Sequence, residues 1–135
     1  MNQQATLELV PALRAPRAAR AFVAETLVAW DLRADDVEAV QLVVSELVTN
    51  AVLHAAESPA ITLELMLTED AVRVLVSDCS LGEPERRTQS HPMTAETGRG
   101  VWLVDAFSDQ WGTETRGGNG KTVWCELRVE APAKP

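Results

Sequence analysis

Apolar and polar residues change period several times along the chain, and each change marks an element. Residues Thr6 to Val10 alternate, with Leu7 and Leu9 set against Thr6 and Glu8, and Pro11 closes the short strand this predicts. Pro16 fits the first turn of a helix, and Phe22, Val23, Leu27 and Trp30 then recur at helical spacing to about residue 31. A second helix, capped by Asp35 or Asp36, carries Val37, Val40, Val44, Leu47, Val48, Ala51 and Ala55 as its apolar stripe and ends at Ser58-Pro59. Strict alternation returns at Ile61, Leu63, Leu65 and Leu67, interleaved with Thr62, Glu64, Met66 and Thr68. After a Glu69-Asp70 turn, Val72, Val74 and Val76 alternate again, which predicts an antiparallel hairpin. From Asp78 the periodicity stops, and residues 79–97 show no apolar pattern. A segment of this kind in a compact domain is a functional lid or a disordered insert. Order resumes with Gly98-Arg99-Gly100, which precede a short helical pattern at Val101, Trp102, Val104 and Phe107. A last hairpin, Gln110 to Thr115 and Thr122 to Val129, turns through Gly117-Gly118-Asn119-Gly120, and the tail 130–135 is expected to fray.

These elements add up to one domain over residues 1–135, an α/β (α+β) two-layer sandwich. The expected sheet is mixed but mostly antiparallel, with about five strands and three helices on one face. A hydrophobic fraction of 46% fits a globular chain of this size. The chain has no apolar run long enough for a membrane helix and its start lacks the pattern of a secretory signal, so a soluble, cytoplasmic protein is expected. Cys79 and Cys125 are too few and too far apart for a disulfide scaffold or a zinc site. The formal net charge of -8 disfavours nucleic acid as a partner, and it requires that any anionic ligand be met by local cations and backbone N–H groups.

The second helix holds the most suggestive chemistry. Residues four apart stack on one helical face, so Glu46, Asn50 and His54 form a polar ridge beside the apolar stripe. A carboxylate can orient or deprotonate a nucleophile, and an amide oxygen is a hard ligand suited to Mg2+. Solvated polar residues on an amphipathic helix would show the same spacing. Asp78, at a strand end, can accept from an exocyclic amine such as that of adenine, or can cap the turn that follows. Gly82 allows backbone to pass close to a planar ligand. Gly98-Arg99-Gly100 ahead of a helix can offer N–H donors and a guanidinium to phosphate. Gly120-Lys121-Thr122 is not a phosphate loop, because Thr115 stands where that loop needs glycine and a strand pattern follows. Arg14, Arg17 and Arg20, spaced three apart with no acid before Glu25, form either a solvated face or a docking surface for an acidic partner.

The order of these signals, from Glu46 and Asn50 through Asp78, Gly82 and Gly98 to Thr122, resembles the ATP-binding fold shared by gyrase, Hsp90, histidine kinases and MutL, the GHKL group. The stretches Glu46-Leu47-Val48-Thr49-Asn50-Ala51 and Gly98-Arg99-Gly100-Val101-Trp102-Leu103-Val104-Asp105 are most similar to the stand-alone bacterial anti-sigma-factor serine/threonine kinases. The resemblance implies ATP and Mg2+ as cofactors, Asn50 as metal ligand, Glu46 as catalytic base and Asp78 with Thr122 at the adenine. It also implies Gly82, Gly98, Arg99 and Gly100 around the nucleotide, and Arg17 and Arg20 on a partner-binding surface. The implied function is phosphorylation of a Ser or Thr on an anti-anti-sigma partner, with a sigma factor as a second partner and a homodimer as the assembly. The family pattern Asp-x-Gly-x-Gly is broken here, since Asp78-Cys79-Ser80-Leu81-Gly82 places Ser80 where the first glycine belongs. That departure keeps open a non-catalytic regulator working by protein contacts, and a metabolic ATPase stands as a third alternative.

Overall fold

The computed structural model describes residues 2–54, 58–78, 108–115 and 120–130. In chain order the elements are β1 (Gln3–Leu9), α1 (Ala15–Ala29), α2 (Ala34–His54), β2 (Ile61–Leu67), β3 (Ala71–Asp78), β4 (Gln110–Thr115) and β5 (Lys121–Arg128). The sheet order is β1-β2-β3-β5-β4, which places β3 at the centre. Every pairing is antiparallel, so the expectation of a mixed sheet is corrected: no strand in this order runs parallel to its neighbour. Two helices are seen among the described residues, and the third, expected after Gly100, falls outside them.

Alternation decides the layers. Ile61, Leu63, Leu65 and Leu67 are buried while Thr62, Glu64 and Met66 are half-buried, and Val72, Val74 and Val76 of β3 continue the inner surface. Val23 and Leu27 of α1 and Val40, Val44 and Val48 of α2 close over this surface to make one core. Helix α1 lies against β1, α2 against β3, and the two helices pack on each other. Cys125 lies in the same core on β5, where burial pushes its thiol up to about 12. On the other face of the sheet the Arg73 guanidinium stands 4.7 Å over the Trp124 ring. That ring covers Gly112, where an added Cβ would come within 3.1 Å of the indole.

The ends of the elements depart from the sequence pattern for local reasons. Strand β1 starts at Gln3, earlier than its alternation suggests, because the full length of β2 is there to pair with it, from Gln3 with Leu67 to Leu9 with Ile61. Helix α1 stops in a Schellman turn. Leu32 N–H donates to Leu27 O and Asp31 N–H to Val28 O, each at 3.0 Å, while Asp31 takes a φ of 67°. The apolar contact this motif favours is supplied by Leu27 and Leu32, both buried. Helix α2 begins at Ala34, with Val37 N–H donating to Arg33 O, so Asp35 and Asp36 lie inside its first turn and are not its cap. There they oppose the positive end of the helix dipole. Asp36 also accepts the backbone N–H of Glu130 at 3.3 Å.

Candidate nucleotide site

Helix α2 runs for 21 residues, and its buried stripe of Val40, Val44, Leu47, Val48 and Ala51 fixes its roll against the sheet. At 100° per residue, Glu46 and Asn50 emerge on one flank of that stripe, and Gln41 and Ser45 on the other. Both Glu46 and Asn50 are half-buried, and among the described residues neither is tied to another side chain by a hydrogen bond. Glu46 and Asn50, two of the three residues of the expected ridge, thus share one flank and keep their hydrogen-bonding capacity, while the side chain of His54 lies outside the described ones.

Topology brings two more of the expected residues, Asp78 and Thr122, to one end of the sheet. The short connection 55–60 carries the chain from the end of α2 to Ile61, and Ile61 pairs with Asp78. Asp78 in turn pairs with Lys121 at the start of β5. Asn50, one turn before the end of α2, thus shares this end of the molecule with Asp78, Lys121 and Thr122. Asp78 is 4% exposed, and its place in register continues the inner face of Val72, Val74 and Val76. A carboxylate buried at a strand end needs compensation for the water it loses, and Asp78 is not without a partner in the protein.

Thr122 is 5% exposed and stands opposite Ser77, with the two hydroxyl oxygens 2.8 Å apart. Cross-strand partners share a face, so Ser77 and Thr122 lie on the face alternate to Asp78 and Lys121. Gly120 opens β5 with a φ of 155°, a conformation that side-chain-bearing residues rarely adopt. A strand and not a helix follows it, which rules out a phosphate loop at Gly120-Lys121-Thr122. Gly82, Gly98, Arg99, Gly100 and the expected lid at 79–97 lie outside the described residues, as do Cys79 and Ser80.

Arg17 and Arg20 are exposed on α1. The Arg20 guanidinium donates from Nη1 to Ser45 Oγ at 2.9 Å, and Gln41 Nε2 donates to the Arg20 carbonyl at 3.0 Å. Ser45, Gln41, Ser77 and Lys121 were not singled out by sequence pattern, because each matters through a partner far away in the chain.

The donor set suits magnesium in one respect. Mg2+ binds through one or two protein oxygens and completes its shell with water and phosphate, so a single amide oxygen at Asn50 beside the Glu46 carboxylate is a sufficient protein contribution. Groups of three or more His, Cys, Asp or Glu suited to a caged metal do not occur among the described residues. No helix of the described residues is long and apolar enough to cross a membrane.

Comparison with known proteins places the fold in a family. Residues 9–127 match the profile of the histidine kinase-like ATPase domain. The chain is 28% identical over 114 residues to an anti-sigma F factor of Clostridium beijerinckii, covering 78% of this chain and 80% of that protein. It is 24% identical over 120 residues to the anti-sigma F factor of Geobacillus kaustophilus, covering 82% of each. Among solved structures, the RsbU and RsbW domains of Rv1364c from Mycobacterium tuberculosis superpose with a TM-score of 0.70 at 19% identity. That likeness takes in 98% of this chain and about a third, 33%, of the other, and shows the shared fold. With residues 9–127 matched, most of its length, the chain belongs to the histidine kinase-like ATPase domain family.

Proposed function

We propose that this protein is an anti-sigma regulatory factor that binds Mg-ATP and transfers the γ-phosphoryl group to a Ser or Thr of an anti-anti-sigma partner protein. The observation that carries the reading is the placement of Glu46 and Asn50 one turn apart on a single flank of α2, with buried Asp78 at the end of the sheet where α2 finishes. The anti-sigma F factors of similar length support the regulatory half of the proposal.

In this reading Asp78 accepts a hydrogen bond from the adenine amine, which an oxo group at the same ring position would not supply. Thr122, held by Ser77, braces the strand beside it. Asn50 offers its amide oxygen to magnesium, which when bound supplies charge neutralisation at the phosphates. Glu46, one turn earlier, orients the acceptor hydroxyl and takes its proton as the oxygen bonds to the γ-phosphorus, while the bond from that phosphorus to the bridging oxygen breaks and ADP leaves with the electron pair. Gly98, Arg99 and Gly100 are assigned to the phosphates and Gly82 to the edge of the base. The chemistry asks mainly for position and charge, and a rigid 21-residue helix is a suitable mount for both.

The test is transfer of labelled phosphate from ATP to purified anti-anti-sigma proteins encoded near this chain. Wild type should label one of them on Ser or Thr. Glu46→Ala should reduce the rate at least about 100-fold while nucleotide binding persists, in line with loss of a general base. A wild-type protein that binds ATP yet labels none of them would make it a regulator acting by contacts alone.

A further inference from the structure

The start of β5 is held in register by two features, and that register chooses the neighbour of Asp78. Gly120 takes a φ of 155° immediately before the strand, and Ser77 Oγ and Thr122 Oγ1 meet at 2.8 Å across the β3–β5 ladder. A slip of one residue would part the two hydroxyls and turn every side chain of β5 to the other face. In the register so fixed, Lys121 stands directly opposite Asp78. Cross-strand partners share a face, so Lys121 lies with Asp78 on the inner face, at the sheet end where α2 finishes.

This residue is a cation that the fold does not use. Lys121 is half-buried, yet among the described residues its ammonium forms no ion pair or hydrogen bond. The described strands carry two other cations, and both are placed elsewhere. Arg128 pairs with Ala71 at the opposite end, and Arg73 stacks on Trp124 across the outer face. Partial burial costs a lysine both hydration and rotamer freedom, so a strand built only for stability would not place one here.

Chemistry decides what suits the pair. A carboxylate only accepts and an ammonium only donates. Side by side on one face, they match a planar ligand that presents a donor next to an acceptor along one edge. Adenine does so, because its exocyclic amine donates and the adjoining ring nitrogen, N1, accepts. Guanine carries the reverse, a carbonyl oxygen beside an N–H, and in the same pose both contacts would be mismatched.

We propose that Lys121 is a specificity-determining residue of the nucleotide site, donating from Nζ to N1 of adenine while Asp78 accepts from the amine. The inference deepens the reading of Asp78 given above and rests on it. Lys121 also adds positive charge where a chain of net charge -8 has to receive a triphosphate, an effect that is blind to the base.

The experiment separates these effects by calorimetric titration of the full chain with three nucleotides. They are ATP, 1-deaza-ATP, in which N1 is replaced by C–H, and purine riboside triphosphate, which lacks the amine. All carry the same triphosphate, so their affinity ratios report the base edge alone. Wild type should bind 1-deaza-ATP at least about 10-fold more weakly than ATP, as expected for loss of a hydrogen bond to a charged donor. Lys121→Met should bind the two alike, and Lys121→Arg should restore part of the preference. If Lys121→Met lowers both affinities by the same factor, Lys121 only supports the strand or the local field, and the proposal is overturned. Equal binding of ATP and 1-deaza-ATP by wild type overturns it as well, and that comparison needs no variant to fold. Purine riboside triphosphate tells the two readings apart. Should wild type discriminate against it, with Asp78→Asn narrowing the difference, while N1 makes no difference, Asp78 stays at the adenine and only the role of Lys121 falls. If neither analogue is discriminated, or no nucleotide binds, the adenine reading of Asp78 falls and this inference with it.

Discussion

Helix α2 has two polar flanks, and they are used in opposite ways. On one, Ser45 and Gln41 are closed onto Arg20 of the neighbouring helix at 2.9 and 3.0 Å. On the other, Glu46 and Asn50 are half-buried and no side chain of a described residue hydrogen-bonds them. The two flanks have similar exposure and similar residue types. What separates them is whether the protein itself answers the polar groups. A structural hydrogen bond is complete in the free protein, whereas a binding group keeps its capacity for what arrives later.

The contrast is best broken by substituting each flank in turn. The largest effect is expected from Glu46→Gln, which keeps shape and hydrogen bonding but removes the base. Phosphoryl transfer should fall at least about 100-fold, with unchanged melting temperature, and transfer within a few-fold of wild type would move the base elsewhere. Asn50→Ala comes next. Calorimetric titration should show ATP binding weakened about 10-fold or more with Mg2+ present and much less without it; equal losses in the two conditions would take Asn50 out of the metal shell. Asp78→Asn should then narrow the preference for ATP over GTP, because an amide can both donate and accept where the carboxylate only accepts. An unchanged preference would place adenine against another group. The smallest effect belongs to the closed flank. Ser45→Ala should cost about 1 kcal/mol or less in urea unfolding, since Arg20 remains solvated, and should leave nucleotide affinity untouched. If Ser45→Ala instead weakened ATP binding as much as Asn50→Ala, the two flanks would not be separate devices.

Much of this was legible before the fold was seen, and the exceptions share a cause. The period of two at Ile61 to Leu67 and the stripe of α2 report burial directly, so both elements lie where alternation and helical spacing place them. Glu46 and Asn50 were visible because their relation is four residues long. The pairs Ser77 with Thr122 and Arg20 with Ser45 span 45 and 25 residues, and no local pattern encodes them. Gln3 and Gln4 were missed as strand residues because neither favours extended structure by itself; β2 supplies the ladder that holds them. The sequence offers Asp35 or Asp36 as the cap because their chemistry suits either the cap or the turn just inside it.

The ladder that joins β1 to β2 has a consequence for the order in which the chain assembles. Gln3 meets Leu67, and both helices intervene between the two strands. Synthesis delivers β1 first, yet it has no edge to join until β2 has emerged, whereas β2 and β3 can pair across a two-residue turn at once. The first strand made is thus expected to be the last strand placed. In kinetic terms, Leu9→Ala should accelerate unfolding and leave the refolding rate nearly unchanged, while Val74→Ala in the central strand should slow refolding. A large slowing of refolding by Leu9→Ala would put β1 in the nucleus after all.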